Sequence, residues 1–292
     1  MSTEPLNFDA ITNEERSLFD NDDLDIVDLF QTAIKSSSTF DIDKKAERFV
    51  TDLVVYATEK QWVLNTVYFQ WRTWNILIYI AIAIPYKHYA QDVLFKVIVL
   101  LEEDVDKSWE GFGPVIRSLW NCSPKFTSTL DDDDENLSLD EWLNLNSFVA
   151  KISNDGDEGS LIFGVWGLRS GLEEDLHKFE DDGKPSPQSF SVNRVRVACE
   201  WIIQAGPAFF KQSLLNVSFE EIPAKTGRPY CGGALFLGTN GFTIEHWGFW
   251  KRRFIEVRKD FESESVCAYI DKALRVMSEL EGKAANAIDI FF

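Results

Sequence analysis

The chain has 292 residues, 45% of them hydrophobic and 14% aromatic, with 10 Trp, 23 Phe and a formal net charge of −19. That is enough apolar material for a large core. The acidity lies in the first 60 residues and in 101–183, while the last third is slightly basic; such a field repels phosphate backbones and excludes nucleic acid as a partner.

Cys122, Cys199, Cys231 and Cys267 form no CxxC pair, which points to reduced, buried thiols rather than a disulfide framework. The opening MSTEPLNFDAITNEE has neither a basic n-region nor an apolar h-region, so no secretory signal is expected. The run Ile76–Ile84 is too short to span a bilayer, and polar residues precede it on the same helical pattern. A cytoplasmic protein with no membrane partner follows as the expectation.

Taken in order, residues 1–40 form an acidic amino-terminal arm with short helical pieces, the best of them 23–30. Helical spacing then predicts a helix over 41–59, with Ala46, Phe49, Val50, Leu53, Val54 and Ala57 inward. A second runs over 61–84 and stops at Pro85. On it Asn65, Tyr68, Arg72 and Asn75 form a polar line on an otherwise apolar, aromatic helix, which must join a core network or line a cavity. Helices follow over 88–103 and after Gly111-Phe112-Gly113-Pro114. The run DDDDE at 131–135 resembles a metal-binding aspartate motif, but no second motif accompanies it, and a solvated acidic loop is the reading.

Ser138 and Glu141 form a capping box for a helix over 139–152. The next, 159–179, carries Gly164, Gly167 and Gly171, which cost nearly ~1 kcal/mol each relative to alanine and imply a close helix approach or room beside Trp166 and Arg169 for a ligand. DDGKPSPQS at 181–189 reads as a linker. A helix over 191–205 ends at Gly206-Pro207, and 209–215 continues beyond the kink. Residues 217–242 read as Gly- and Pro-rich loop, and 263–280 as the closing helix. No strand pattern persists.

The densest local signal is 231–261. Gly238, Asn240 and Gly241 tolerate positive φ cheaply, Thr243 suits an N-cap, and Glu245 favours the helix dipole. Trp247, Trp250, Phe254, Val257 and Phe261 then recur at helical steps. This is either a core helix with two anchoring tryptophans or the wall of a ligand pocket in which His246 meets a polar group.

Ile84-Pro85-Tyr86 with Ala90-Gln91-Asp92, Trp142-Leu143-Asn144, Trp166-Gly167-Leu168-Arg169 with Leu172-Glu173, Trp201-Ile202-Ile203 with Ala205-Gly206-Pro207, and GGALF with GFTIEHWGFWKRRF together resemble the fungal domain-of-unknown-function family DUF3632. The likeness runs from about residue 84 to 254. It implies an all-helical intracellular fungal protein, of a family often encoded beside secondary-metabolite genes. It supplies no catalytic residues to carry over.

The expected architecture is all-α: a 41–292 single domain of roughly ten helices in an irregular bundle or layered array, with the 181–189 linker between two layers. No Ser-His-Asp, HExxH, P-loop or dinucleotide motif is present, and no metal or cofactor is expected. The first functional expectation is a cofactor-free cyclase or isomerase, pericyclase-like, acting on an apolar aromatic or polyketide-terpenoid intermediate. Trp71, Trp74, Trp166, Trp247 and Trp250 would form the pocket walls. Arg72, Arg169 or His246 would polarise a carbonyl, and Tyr68 would donate a hydrogen bond. The alternatives are a non-catalytic helical interaction protein that uses its acidic arm and loop, and a small-molecule carrier. Self-association into a homo-oligomer is left open.

Overall fold

A computed structural model of the chain describes residues 6, 19–35, 41–62, 66–104, 112–125, 136–154, 158–176, 186–218 and 230–289. The protein is all-α, with ten α-helices among these residues. Their contacts divide the chain into two compact units. The first holds the described residues up to Pro124 and from 136 to Phe148, and the second Lys125 and those from Val149 onward. Both flanks of the expected 181–189 linker therefore belong to the second unit. No helix among the described residues is long and apolar enough to cross a membrane.

The first unit contains α1 (Asn21–Lys35), α2 (Ile42–Glu59), α3 (Val67–Ala83), α4 (Ala90–Asp104), α5 (Phe112–Trp120) and the first part of α6 (Leu139–Asn154). Asp41 caps α2, its carboxylate accepting from Lys44 N, and the inward face of α2 is the expected one except at Val54, which is 38% exposed. Phe30 of α1 meets Phe49 of α2 edge to face at 5.6 Å, so the arm docks through its apolar side. Its acids do not simply face water. Asp22 takes Lys60 at 2.5 Å and the Tyr56 hydroxyl at 3.1 Å, and Asp20 and Asp23 both pair with Arg72. The Lys60 hydrogen bond holds the Asp22 carboxyl below its usual range, whereas burial pushes that of Asp23 up.

Helix α3 starts six residues later than the spacing predicts. Thr66 is its N-cap, accepting from Phe69 N at 3.2 Å, after a turn in which Gln61 adopts φ 57°. It ends at Ala83, before Pro85, as proline forces. Gln91 of α4 donates to Ala81 O at 2.8 Å and Ile84 O at 2.7 Å. Asn144 of α6 donates to Ile82 O at 2.8 Å and accepts from Tyr86 N at 2.9 Å. Two buried amides thus satisfy the carbonyls that α3 leaves open at its end. The capping box of α6 is present, with Ser138 N donating to Glu141 at 2.8 Å and Glu141 N to Ser138 Oγ at 3.3 Å.

The second unit contains the end of α6, then α7 (Leu161–Leu168), α8 (Pro187–Leu214), α9 (Ile244–Val257) and α10 (Glu264–Asp289). The glycine-rich helix is shorter than expected: a 3₁₀ turn, Glu158–Ser160, leads into α7, and a π turn, Arg169–Glu173, follows it. Helix α8 runs unbroken for 28 residues through Pro207, where the sequence predicts a kink. Pro207 lies on the exposed side, where the carbonyl it leaves without a donor can take water. Ser186 caps α8 and Pro187 opens it, so the last residues assigned to the linker are the helix start. Val217–Ser218 and Gly241–Phe242 pair as a two-residue antiparallel bridge that sequence periodicity does not reveal. All four cysteines are free, but only Cys199 is buried; burial pushes its thiol pKa up and keeps it protonated.

Candidate functional site

The π turn after α7 brings Glu173, fully buried, to the start of α9. Its Oε1 accepts from His246 Nε2 at 2.7 Å and from Trp250 Nε1 at 2.6 Å, and its Oε2 from Gly233 N at 2.6 Å. His246 is also fully buried, and its Nδ1 lies 2.8 Å from Gly241 O. A carbonyl only accepts, so Nδ1 carries a proton; one further proton lies between Nε2 and Oε1. The pair therefore has no net charge. Phe236 stacks on the imidazole at 3.9 Å, and the Trp250 ring lies 4.2 Å away on a tilted plane.

Backbone geometry supports this cluster. Leu235 N donates to Glu173 O at 2.9 Å, and Arg253 Nε donates to Leu172 O at 2.9 Å. A Cβ on Gly233 would stand 2.7 Å from Glu173 O, so only glycine lets the loop approach this closely. Gly241 sits at φ 107°, the one glycine among the described residues with positive φ, and its N–H donates to Tyr230 O at 3.1 Å. Asn240, expected to supply a positive φ, instead accepts from Gly232 N at 3.1 Å. Thr243 is the N-cap of α9, accepting from His246 N at 3.1 Å in a buried setting. Thr243→Ala is expected to cost about 1–2 kcal/mol in a urea titration, while Thr243→Ser costs less because it keeps the acceptor.

Both ring nitrogens of His246 are engaged, and the Glu173 carboxylate receives three N–H groups out of the roughly four it can accept. The arrangement ties the 230–243 loop, α9 and the π turn together.

A second feature of this unit lies between the ends of α8 and α10. Phe210, Lys211 and Leu214 of α8 and its C-cap Leu215 face Leu280 and Lys283 of α10 across an open groove of about 490 Å³. Phe210 forms its buried floor and packs on the Trp247 ring at 5.0 Å. Leu214 and Leu215 stand 56% and 64% exposed on the rim. Trp247 in turn donates to Glu281 at 2.9 Å, which also pairs with Lys251.

The residues expected to form one catalytic pocket are distributed as follows. Tyr68 and Arg72 lie in the first unit, Arg169 and His246 in the second. Tyr68 is 70% exposed, and its hydroxyl accepts from Arg72 at 3.5 Å. Arg72 also lies 4.9 Å over the Trp62 ring, with its charge committed to Asp20 and Asp23. The polar line of α3 is therefore partly surface rather than buried; Asn65 lies outside the described residues. Trp71 is 49% exposed and Trp74 buried. Arg169 pairs with Glu174 at 3.0 Å. Trp166 packs edge to face on Phe163 at 5.5 Å. Trp247 and Trp250 are buried, the latter in the Glu173 cluster. The acidic 131–135 loop lies outside the described residues. Glu173, the centre of the cluster, was not among the expected site residues; its partners stand 60–77 positions away, beyond any local spacing.

A family model described as a protein of unknown function (DUF3632) matches residues 74–254, more than half of the chain. Comparisons with curated proteins and with solved structures return no match.

Proposed function

This chain belongs to the DUF3632 family, and we propose that it works by binding rather than by chemistry, as a helical interaction protein whose docking surface is the α8–α10 groove. The observation that carries this reading is the pair Leu214 and Leu215, held half or more in water above an apolar floor at the end of the longest helix described. Two neighbouring exposed leucines above an apolar floor, rather than one scattered side chain, support a binding surface there. The cyclase or isomerase reading has less support, because the groups it relies on are spent: His246 on Glu173 and Gly241, Arg72 on Asp20 and Asp23, Arg169 on Glu174. Among the described residues of the arm, Asp20, Asp22, Asp23 and Asp25 are engaged by Arg72, Lys60 and Tyr56, so we take the groove as the interface.

The test uses an anilinonaphthalene dye, whose fluorescence rises in an apolar site. The folded protein is expected to bind it, and Leu214→Glu with Leu215→Glu is expected to weaken that binding about tenfold, or about 1.4 kcal/mol, with the thermal midpoint unchanged. Equal dye binding by the parent and the double variant would remove the groove from the reading.

A further inference from the structure

We infer that the occupant of the α8–α10 groove is a second copy of this chain, which inserts the leucines of its 230–243 loop. The inference rests on the binding reading above and names the partner of that groove. Leu237 is 95% exposed, the most exposed large apolar side chain among the described residues, and Leu235 is 45% exposed. Between them Phe236 turns inward and stacks on His246 at 3.9 Å.

The loop that displays these leucines is held at several points. Leu235 N donates to Glu173 O at 2.9 Å, Gly233 N to Glu173 Oε2 at 2.6 Å, Gly232 N to Asn240 Oδ1 at 3.1 Å, and Thr239 N to Glu245 Oε2 at 3.4 Å. A Cβ on Gly238 would stand 2.6 Å from Phe236 Cζ and 2.7 Å from Glu245 Oε1, so glycine closes the loop directly behind Leu237. A leucine fixed in water in this way has already lost the freedom that binding would otherwise cost. The buried Glu173–His246 pair thereby serves to hold an apolar knob.

The second unit carries both an apolar knob and an apolar groove, so every copy offers both halves. Within one chain they do not meet. The loop rests on His246 and the groove floor on the Trp247 ring, and Leu214, Leu215 and Leu237 all stay in water. A knob on one copy that fits a groove elsewhere on the next makes a head-to-tail contact. The open groove suits a side chain carried in on a protein surface better than a small ligand, whose site encloses most of its surface. Opposite charges accompany the two halves: Glu245 is exposed beside the loop, and Lys283 is exposed on the groove wall with no ion pair among the described residues. Four leucines make a small contact, so the association is weak and reversible.

The experiment is sedimentation of the full chain over a concentration series, with Leu237→Glu as the knob variant and Leu214→Glu with Leu215→Glu as the groove variant. The mass of the parent is expected to rise with concentration, and each variant is expected to weaken that association at least about tenfold. An equal mixture of the two variants should associate again, as pairs, because one supplies the groove and the other the knob. A mixture that stays monomeric overturns the inference, and so does a groove variant that associates like the parent. A parent that is monomeric throughout also overturns it; dye binding that the groove variant loses would then leave the groove to another partner, and absent dye binding would remove the binding reading as well. Should the groove variant not fold, the dye decides on the other two chains. Dye bound per chain must fall as the parent is concentrated and its grooves fill, and must stay constant in Leu237→Glu; equal behaviour of the two overturns the inference.

Discussion

Replacing Glu173 by alanine is expected to lower the unfolding free energy by about 3–5 kcal/mol. The loss is large because it strips one acceptor from three buried donors at once: His246 Nε2, Trp250 Nε1 and Gly233 N. His246 and Trp250 are fully buried, so their donors are shielded from bulk solvent. Glu173→Gln is expected to cost less, since its carbonyl oxygen still accepts, but its NH₂ group must face at least one of the same donors. His246→Phe keeps the stack on Phe236 and leaves Gly241 O and Glu173 Oε1 each short of a donor. Urea unfolding of the two single variants and of Glu173→Gln with His246→Phe completes the cycle. A structural tie requires costs that do not add, with a coupling of about 0.5–3 kcal/mol. Single losses below about 1 kcal/mol would show that the cluster is not what holds the 230–243 loop. Dye binding in the groove should survive Glu173→Gln, since no groove residue touches Glu173; its loss would make the two features one site.

What the sequence could reveal depended on how far apart the interacting residues stand. Thr243, Ser138 and Glu141 were legible because a cap acts within three residues. The inward faces of α2, apart from Val54, and of α9 were legible for the same reason, since helical periodicity is local. Stopping α3 at Pro85 needed only the stereochemistry of proline, yet the same rule misplaced a break at Pro207, where exposure makes the missing donor cheap. The polar line on α3 was read as buried because its neighbours are apolar; Arg72 instead finds its acids on α1, about fifty residues earlier. Glu173 carried no local signal at all, because its partners come from a loop and a helix far along the chain. The groove was equally hidden: Phe210, Leu214 and Leu215 look like any inward stripe until the end of α10 is seen to leave them uncovered. His246, Trp247 and Trp250 stood out in the sequence as a dense stretch with two open roles, core and site; the structure sets His246 and Trp250 on Glu173 and Trp247 on Glu281 and Phe210.

Trp201→Ala is expected to cost about 3–5 kcal/mol, and the reason fixes what a compensating change must look like. The indole is fully buried and lies across the glycines of α7: a Cβ on Gly167 would stand 2.8 Å from Trp201 Cδ1, and one on Gly164 would collide with the same ring and come within 2.6 Å of Phe209 Cζ. The expense of glycine in a helix is thus offset by the close approach of α7 to α8, not by space for a ligand. Phe209, edge to face with Trp201 at 6.2 Å, continues the contact to Trp250 at 5.7 Å, so the hole left by the indole opens beside the aromatic layer that backs the Glu173 cluster. Gly164→Val alone overpacks this contact and is expected to cost about 1–3 kcal/mol. Together with Trp201→Ala, however, the collision with the indole is gone and the Phe209 ring, 2.6 Å from the new Cβ, has the vacated volume to shift into. The double variant should therefore be more stable than the sum of the two losses by about 0.5–3 kcal/mol, read from urea midpoints at unchanged m. Strict additivity would mean that α7 and α8 relax independently around the cavity, and that the glycines serve some purpose other than admitting the tryptophan.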